Sequence, residues 1–232
     1  MDRAVDRPAD SGVDRRTRMR LVRAAAAIGL ADGVAGVSFG AVSRTSGLTV
    51  AQTVALALLM VTGSGQFAFV GTLAAGAGGP AAVGSAMLAS CRNTVYSVRL
   101  AGVIPRRWRV PAAQWVMDET AAAALGERDD RAAWWAFRAV GAGVESLWVL
   151  GTLAGAVLVS GVDPARWGLD AVAAVVFLAL IASRLRQREN VQVAVVAGLV
   201  TLAVVPLVPS GVPALVAAAA VIPLAVLRRG PA

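Results

Sequence analysis

The chain has 232 residues, 57% of them hydrophobic and only 16% charged, with a mean hydropathy of +0.69. That balance excludes a soluble globular protein and predicts an all-α integral membrane protein, a polytopic helical bundle. The net charge of +8 does not signal nucleic acid, because the arginines cluster at the ends of apolar runs, where they act as topology signals.

Residues 1–23 hold two arginine-rich patches and no apolar stretch, which predicts a flexible basic tail ahead of a single transmembrane domain over 24–228. The tail is not a cleavable signal peptide, since the apolar run behind it is too long and contains Asp32. Apolar runs long enough to cross about 30 Å of hydrocarbon fall at 24–43, 50–75, 80–104, 134–160, 167–183, 191–209 and 211–227. A shorter piece, 111–125, carries Asp118 and Glu119 and reads as interfacial, re-entrant or a short broken span.

In the first run Gly29, Gly33, Gly36 and Gly40 form one strip of a helix with almost no side chain. Two readings stand: close packing of another helix, or an unwound stretch from Gly36 to Gly40 whose free backbone groups face a ligand. Asp32 sits one residue off the strip, a candidate for ion coupling or simply a water-facing acid. The second run carries Gly63, Ser64, Gly65, Gln66 and Phe67 near its middle, where two glycines weaken the helix and the Gln66 amide must find partners away from lipid. A broken helix is expected there.

The third run places Arg92 near its centre. An arginine at mid-depth costs roughly 2.5–3.5 kcal/mol on insertion scales, so it must face protein or water and find an acceptor. Arg92, Tyr96 and Arg99 share one helical face, with Ser85 a heptad earlier. Asp118, Glu119 and Glu145 are the candidate partners of Arg92, either in a structural lock between helices or in a substrate site. Arg99, nearer the end of the run, is read as snorkelling to headgroups. In the fourth run Gly151 and Gly155 form a packing face behind Trp148.

Basic clusters at Arg15 to Arg23, at Arg184, Arg186 and Arg188, and at Arg228 and Arg229 place both termini in the cytoplasm of a multi-pass plasma-membrane protein. Three full crossings before Arg106, Arg107 and Arg109 would leave that cluster outside. The choice lies between eight crossings and six plus a broken or re-entrant element; six keeps the cluster in the cytoplasm. Enzyme chemistry is poorly supplied: with no histidine or lysine and one cysteine, Cys91, the chain lacks a Ser-His pair, a lysine base or a zinc set. No phosphate-binding loop is present, and no cofactor or metal is expected.

The order Ser38-Phe39-Gly40, Gly63-x-x-Gln66-Phe67, Arg92-x-x-x-Tyr96-x-x-x-Leu100, Asp118-Glu119 and Trp148-x-x-Gly151-x-x-x-Gly155 resembles the AzlC family over about 24–227. The chain departs from the family pattern around the arginine, where it has Ser90 and Asn93, and ahead of the Phe-Gly pair, where Val34 stands for a proline. The resemblance implies the large subunit of a branched-chain amino acid exporter working with a small hydrophobic AzlD-type subunit, and leaves room for an oligomer. Set against that function, a zwitterion needs an anion site, a cation site and an apolar pocket. Arg92 with the amides at Gly40 and Gly63 suits the carboxylate, Asp118 or Glu119 suits the ammonium, and Phe39, Phe67 and Trp148, with Gln66 and Tyr96 nearby, suit the pocket. The competing class is a non-transporting scaffold or sensor in which the same polar residues are structural.

Overall fold

A computed structural model describes residues 13–60, 62–160, 188–207, 216, 219 and 220, and these contain helices and turns with no strand. Helix α1 runs unbroken from Arg15 to Thr45. Its start lies nine residues before the expected boundary at 24, which corrects the flexible tail: Asp14 caps the helix by accepting from the Arg16 amide at 3.2 Å, and Arg20 is tied to Glu127 at 2.8 Å. Residues 1–12 of that tail lie outside the described residues. The helix stops where Gly47, at φ +93°, turns the chain and lets the Leu48 amide bond back to the Ser43 carbonyl at 3.1 Å.

The second apolar run is two helices. Helix α2 spans Val50–Leu59 behind a capping box of Thr49 and Gln52, and α3 spans Gly63–Ala74. The break therefore falls between Leu59 and Gly63, just ahead of the Gly63 to Phe67 stretch where it was expected. Helix α4, Gly79–Ser90, begins with Pro80 in its first turn and folds back antiparallel on α3, with Ser85 Oγ bonded to Thr72 Oγ1 at 2.7 Å and to the Ala68 carbonyl at 3.1 Å.

The third run is also divided, which corrects a continuous 80–104 span. Around Cys91 the amides bond three residues back, Cys91 to Leu88 and Thr94 to Cys91, before α5 continues over Arg92–Leu100. Ser85 consequently belongs to the α3 contact and does not extend the face of Arg92.

Short helical turns at Arg106–Trp108 and Ala113–Trp115 flank α6, Arg109–Ala112, and lead to α7, Asp118–Leu125. The 111–125 piece is thus a short broken element. Helix α8 spans Asp130–Leu158, capped by Asp129, which accepts from the Ala132 amide at 3.0 Å. Helix α9 covers Arg188–Val204 and turns at 205–207, a shift of three residues at its start from the expected 191–209. The runs at 167–183 and 211–227, and the clusters at Arg184, Arg186, Arg228 and Arg229, lie outside the described residues, apart from isolated positions.

The frame of the molecule is the contact between α1 and α8, the two described helices long and apolar enough to cross a membrane. Gly29 meets Gly143 and Leu147, Gly36 meets Trp148 and Thr152, and Gly40 meets Thr152 and Ala156. Residue numbers rise together along this seam, so the helices run parallel. A methyl group at Gly36 would stand 2.6 Å from the Trp148 carbonyl, and one at Gly151 or Gly155 would overlap the carbonyls of Gly33 or Val37. Of the two readings of the glycine strip, the structure has the packed one, and the helix does not unwind between Gly36 and Gly40. Leu30, Val34, Leu150, Leu153 and Leu158 are exposed on these two helices, an apolar surface suited to lipid or further helices.

Overpacking the seam should be costly. Gly155→Leu is expected to destabilise the protein by about 3 kcal/mol or more, whereas Gly84→Ala, which faces open space, should be neutral or stabilise by up to about 1 kcal/mol. Thermal unfolding of the two purified variants in detergent checks both; equal melting temperatures would contradict the packing seen here.

Candidate functional site

The two helix breaks meet. Gly65, in the first turn of α3, lies so close to Ser90 at the end of α4 that a Cβ would stand 2.5 Å from its hydroxyl. Arg92, first residue of α5, reaches across this junction. One guanidinium nitrogen donates to Ser64 Oγ of α3 at 2.9 Å and the other pairs with Asp118 Oδ2 of α7 at 2.6 Å. Asp118 is the first residue of its helix, where free amides and the helix dipole favour a carboxylate. The pair is half open to its surroundings, with side-chain exposures of 42% and 31%, while the other Asp118 oxygen is buried without a partner among the described residues.

Beside this charged junction lies an uncharged one. Gln66 is fully buried; its amide nitrogen donates to the Met60 carbonyl, freed where α2 ends, and its amide oxygen accepts from Trp148 Nε1 of α8 at 3.0 Å. One side chain therefore closes the broken helix and ties it to the frame, as a buried backbone acceptor requires. Around Gln66 the rings of Phe39, Phe67 and Trp148 pack together with centroids 5.3–6.3 Å apart, Phe39 stacked on Trp148 and Phe67 edge-on to both, and Gly63 leaves room for the Trp148 indole edge. Phe39 has no exposed surface. These three rings fill the space between α1, α3 and α8 and pack on one another, with Gly40 one residue beyond in the α1–α8 seam.

Other expected residues are distributed around the junction. Glu145 accepts from Trp115 Nε1 and so is not the partner of Arg92. Glu119 follows Asp118 in α7, and one oxygen of Asp32, on α1, is buried without a hydrogen bond to the described residues. Tyr96 packs on the cluster of Leu100, Val116 and Phe137.

Sequence reasoning passed over Ser64, Thr62, Gln114 and Thr120. Thr62 and Ser64 hydroxyls lie 3.3 Å apart. Gln114 donates to the Leu58 carbonyl at 2.6 Å, tying the segment ahead of α7 to the end of α2. Thr120, fully buried, donates to the Trp115 carbonyl at 2.5 Å. The only signal for these was a polar residue next to a glycine break or in a short helix. Between the end of α2, the α4–α5 junction and residues 113–116 lies a cleft of about 290 Å³, lined by none of the expected residues.

Removing the Gln66 bridge should show as stability. Gln66→Leu strands the Trp148 N–H and leaves the Met60 carbonyl with the Thr62 amide alone, an expected loss of about 1–3 kcal/mol for an unmet buried group. Thermal unfolding of Gln66→Leu beside the wild type measures it, and an unchanged midpoint would remove the bridge from this account.

No curated protein and no solved structure matches the chain. The profile of the family described as AzlC protein matches residues 27–162, which take in α1 from residue 27 onward, all of α2 to α8, and the whole junction of Arg92, Asp118, Ser64 and Gln66. The chain belongs to the AzlC family, a family of branched-chain amino acid transporter subunits and not of enzymes.

Proposed function

We infer that the chain is the large subunit of a secondary exporter of hydrophobic amino acids of the valine, leucine, isoleucine and methionine class, driven by an ion gradient and assisted by a small AzlD-type membrane subunit. The observation that carries this reading is the Arg92–Asp118 pair at the meeting point of two broken helices. Broken helices converging on a polar site are the usual construction of secondary-transporter binding sites. A zwitterion fits between the two charges: its carboxylate takes the guanidinium, its ammonium takes the carboxylate, and the site remains neutral both empty and full. Ser64, already bonded to Arg92, holds the guanidinium in place while its acidic partner changes.

The reading includes a topology. Because α1 and α8 run parallel, an odd number of crossings joins them. Helix α7 has eight residues, about 12 Å at about 1.5 Å per residue, and is too short to cross alone. The α4–α5 pair makes the single return, α2–α3 enters and turns back, and Arg106, Arg107 and Arg109 stay with the amino terminus in the cytoplasm. With three further apolar runs the chain makes six crossings, and both termini are cytoplasmic.

Proteoliposome flux of labelled valine, leucine, isoleucine and methionine, with and without the small subunit, tests the inference. Saturable, gradient-dependent flux of at least one is expected; none under either condition would overturn it. Arg92→Met separates a substrate residue from a lock. Flux should fall at least tenfold with little change in melting temperature, since partly exposed pairs contribute only about 0–1 kcal/mol. Retained flux with collapsed stability would mark the scaffold role instead.

A further inference from the structure

The cleft beside the junction has a polarity of its own. Ala86, Ser90 and Asn93 line it at intervals of four and three residues along α4 and α5, so the wall changes from apolar to polar within two helical turns. The rest of the lining includes apolar Met87, Leu59 and Met60 and polar Thr62 and Gln114. The polar end abuts both charges of the junction, since Asn93 follows Arg92, Val116 of the lining stands two residues before Asp118, and the Thr62 hydroxyl neighbours Ser64. The Asn93 side chain makes no hydrogen bond to the described residues, and Gln114 uses its nitrogen on Leu58, leaving its oxygen free to accept. The volume, about 290 Å³, is at the small end of the roughly 300–1,000 Å³ typical of ligand pockets. It suits a single amino acid.

We propose that this cleft is the side-chain pocket of the exporter, with Ala86 and Met87 setting the size of the accepted side chain and Asn93 joining Arg92 on the substrate carboxylate. The assignment rests on the export reading and adds to it where the substrate's apolar portion goes. It moves specificity away from Phe39, Phe67 and Trp148, whose rings are occupied by one another. Ala86, 1% exposed, closes the inner wall against α3, so each methyl group added there shortens the pocket. Met87 is 69% exposed at the rim and can be trimmed without disturbing the packing.

The test is competition by unlabelled amino acids against labelled valine flux in proteoliposomes of the full chain, with its small subunit if flux requires it. Ala86→Val should weaken competition by leucine and methionine at least fivefold relative to alanine. Met87→Ala should improve competition by phenylalanine at least fivefold. Asn93→Asp, which sets a carboxylate against the substrate's own, should lower flux of every substrate about tenfold while keeping their order. Competition orders within twofold of the wild type in both size variants would overturn the assignment. Should Ala86→Val fail to assemble, Met87→Ala decides alone. A wild type without any amino acid flux strikes the export reading itself, and is distinguished from a misplaced pocket, for which wild-type flux persists and the size variants do nothing.

Discussion

Carbonyl oxygens of α1 stand where side chains of α8 would otherwise be, and the reverse holds one turn away: Gly151 and Gly155 receive the carbonyls of Gly33 and Val37, while Gly36 and Gly40 receive those of Trp148 and Thr152. In a membrane, where lipid is as apolar as leucine, such backbone approach is a principal source of helix association. Its parallel sense has a larger effect than its energy. Two parallel helices cannot be joined by a hairpin, so the 84 residues between Thr45 and Asp130 must return along the length of the frame. They do so through short helices, and short helices have ends.

Each end exposes backbone groups that lipid cannot satisfy. The chain answers them with side chains placed at the breaks: Gln66 for the Met60 carbonyl, Gln114 for Leu58, Thr120 for Trp115. Ser64 and Arg92 are the charged counterpart of the same solution, a donor fork held between the start of α3 and the start of α7. The charged junction lies where these discontinuities meet. Its aromatic surroundings anchor it to the frame, since Trp148 both stacks on Phe39 and donates to Gln66.

Much of this architecture was legible in the chain. Apolar run length gave α1 and α8, and the glycine spacing identified the seam, although spacing alone left packing and unwinding equally allowed. Gly63 and Gly65 announced a break but not its position: it falls between Leu59 and Gly63, because Gly63 serves as the first residue of α3 and Gln66 reaches back to the Met60 carbonyl. The division at Cys91 left no sequence signal. Cys91 keeps helical dihedrals, φ −60° and ψ −24°, and only the hydrogen-bond register changes, so neither glycine nor proline is needed. The choice of Asp118 over Glu145 for Arg92 was likewise hidden, since it depends on Trp115 claiming Glu145 across the fold. The early start of α1 depended on Glu127, more than a hundred residues away, meeting Arg20.

The energetic character of the Arg92–Asp118 pair bears on the export reading. A fully buried pair would be costly to form and more costly to part, because removing one partner from a dry site leaves an uncompensated charge worth about 3–5 kcal/mol. This pair is partly open, bonded to one serine, and leaves one carboxylate oxygen without a donor. Separating it to admit a zwitterion trades one ion pair for two, each taking over a charge as the other is released, so no step requires an unpaired ion in low dielectric.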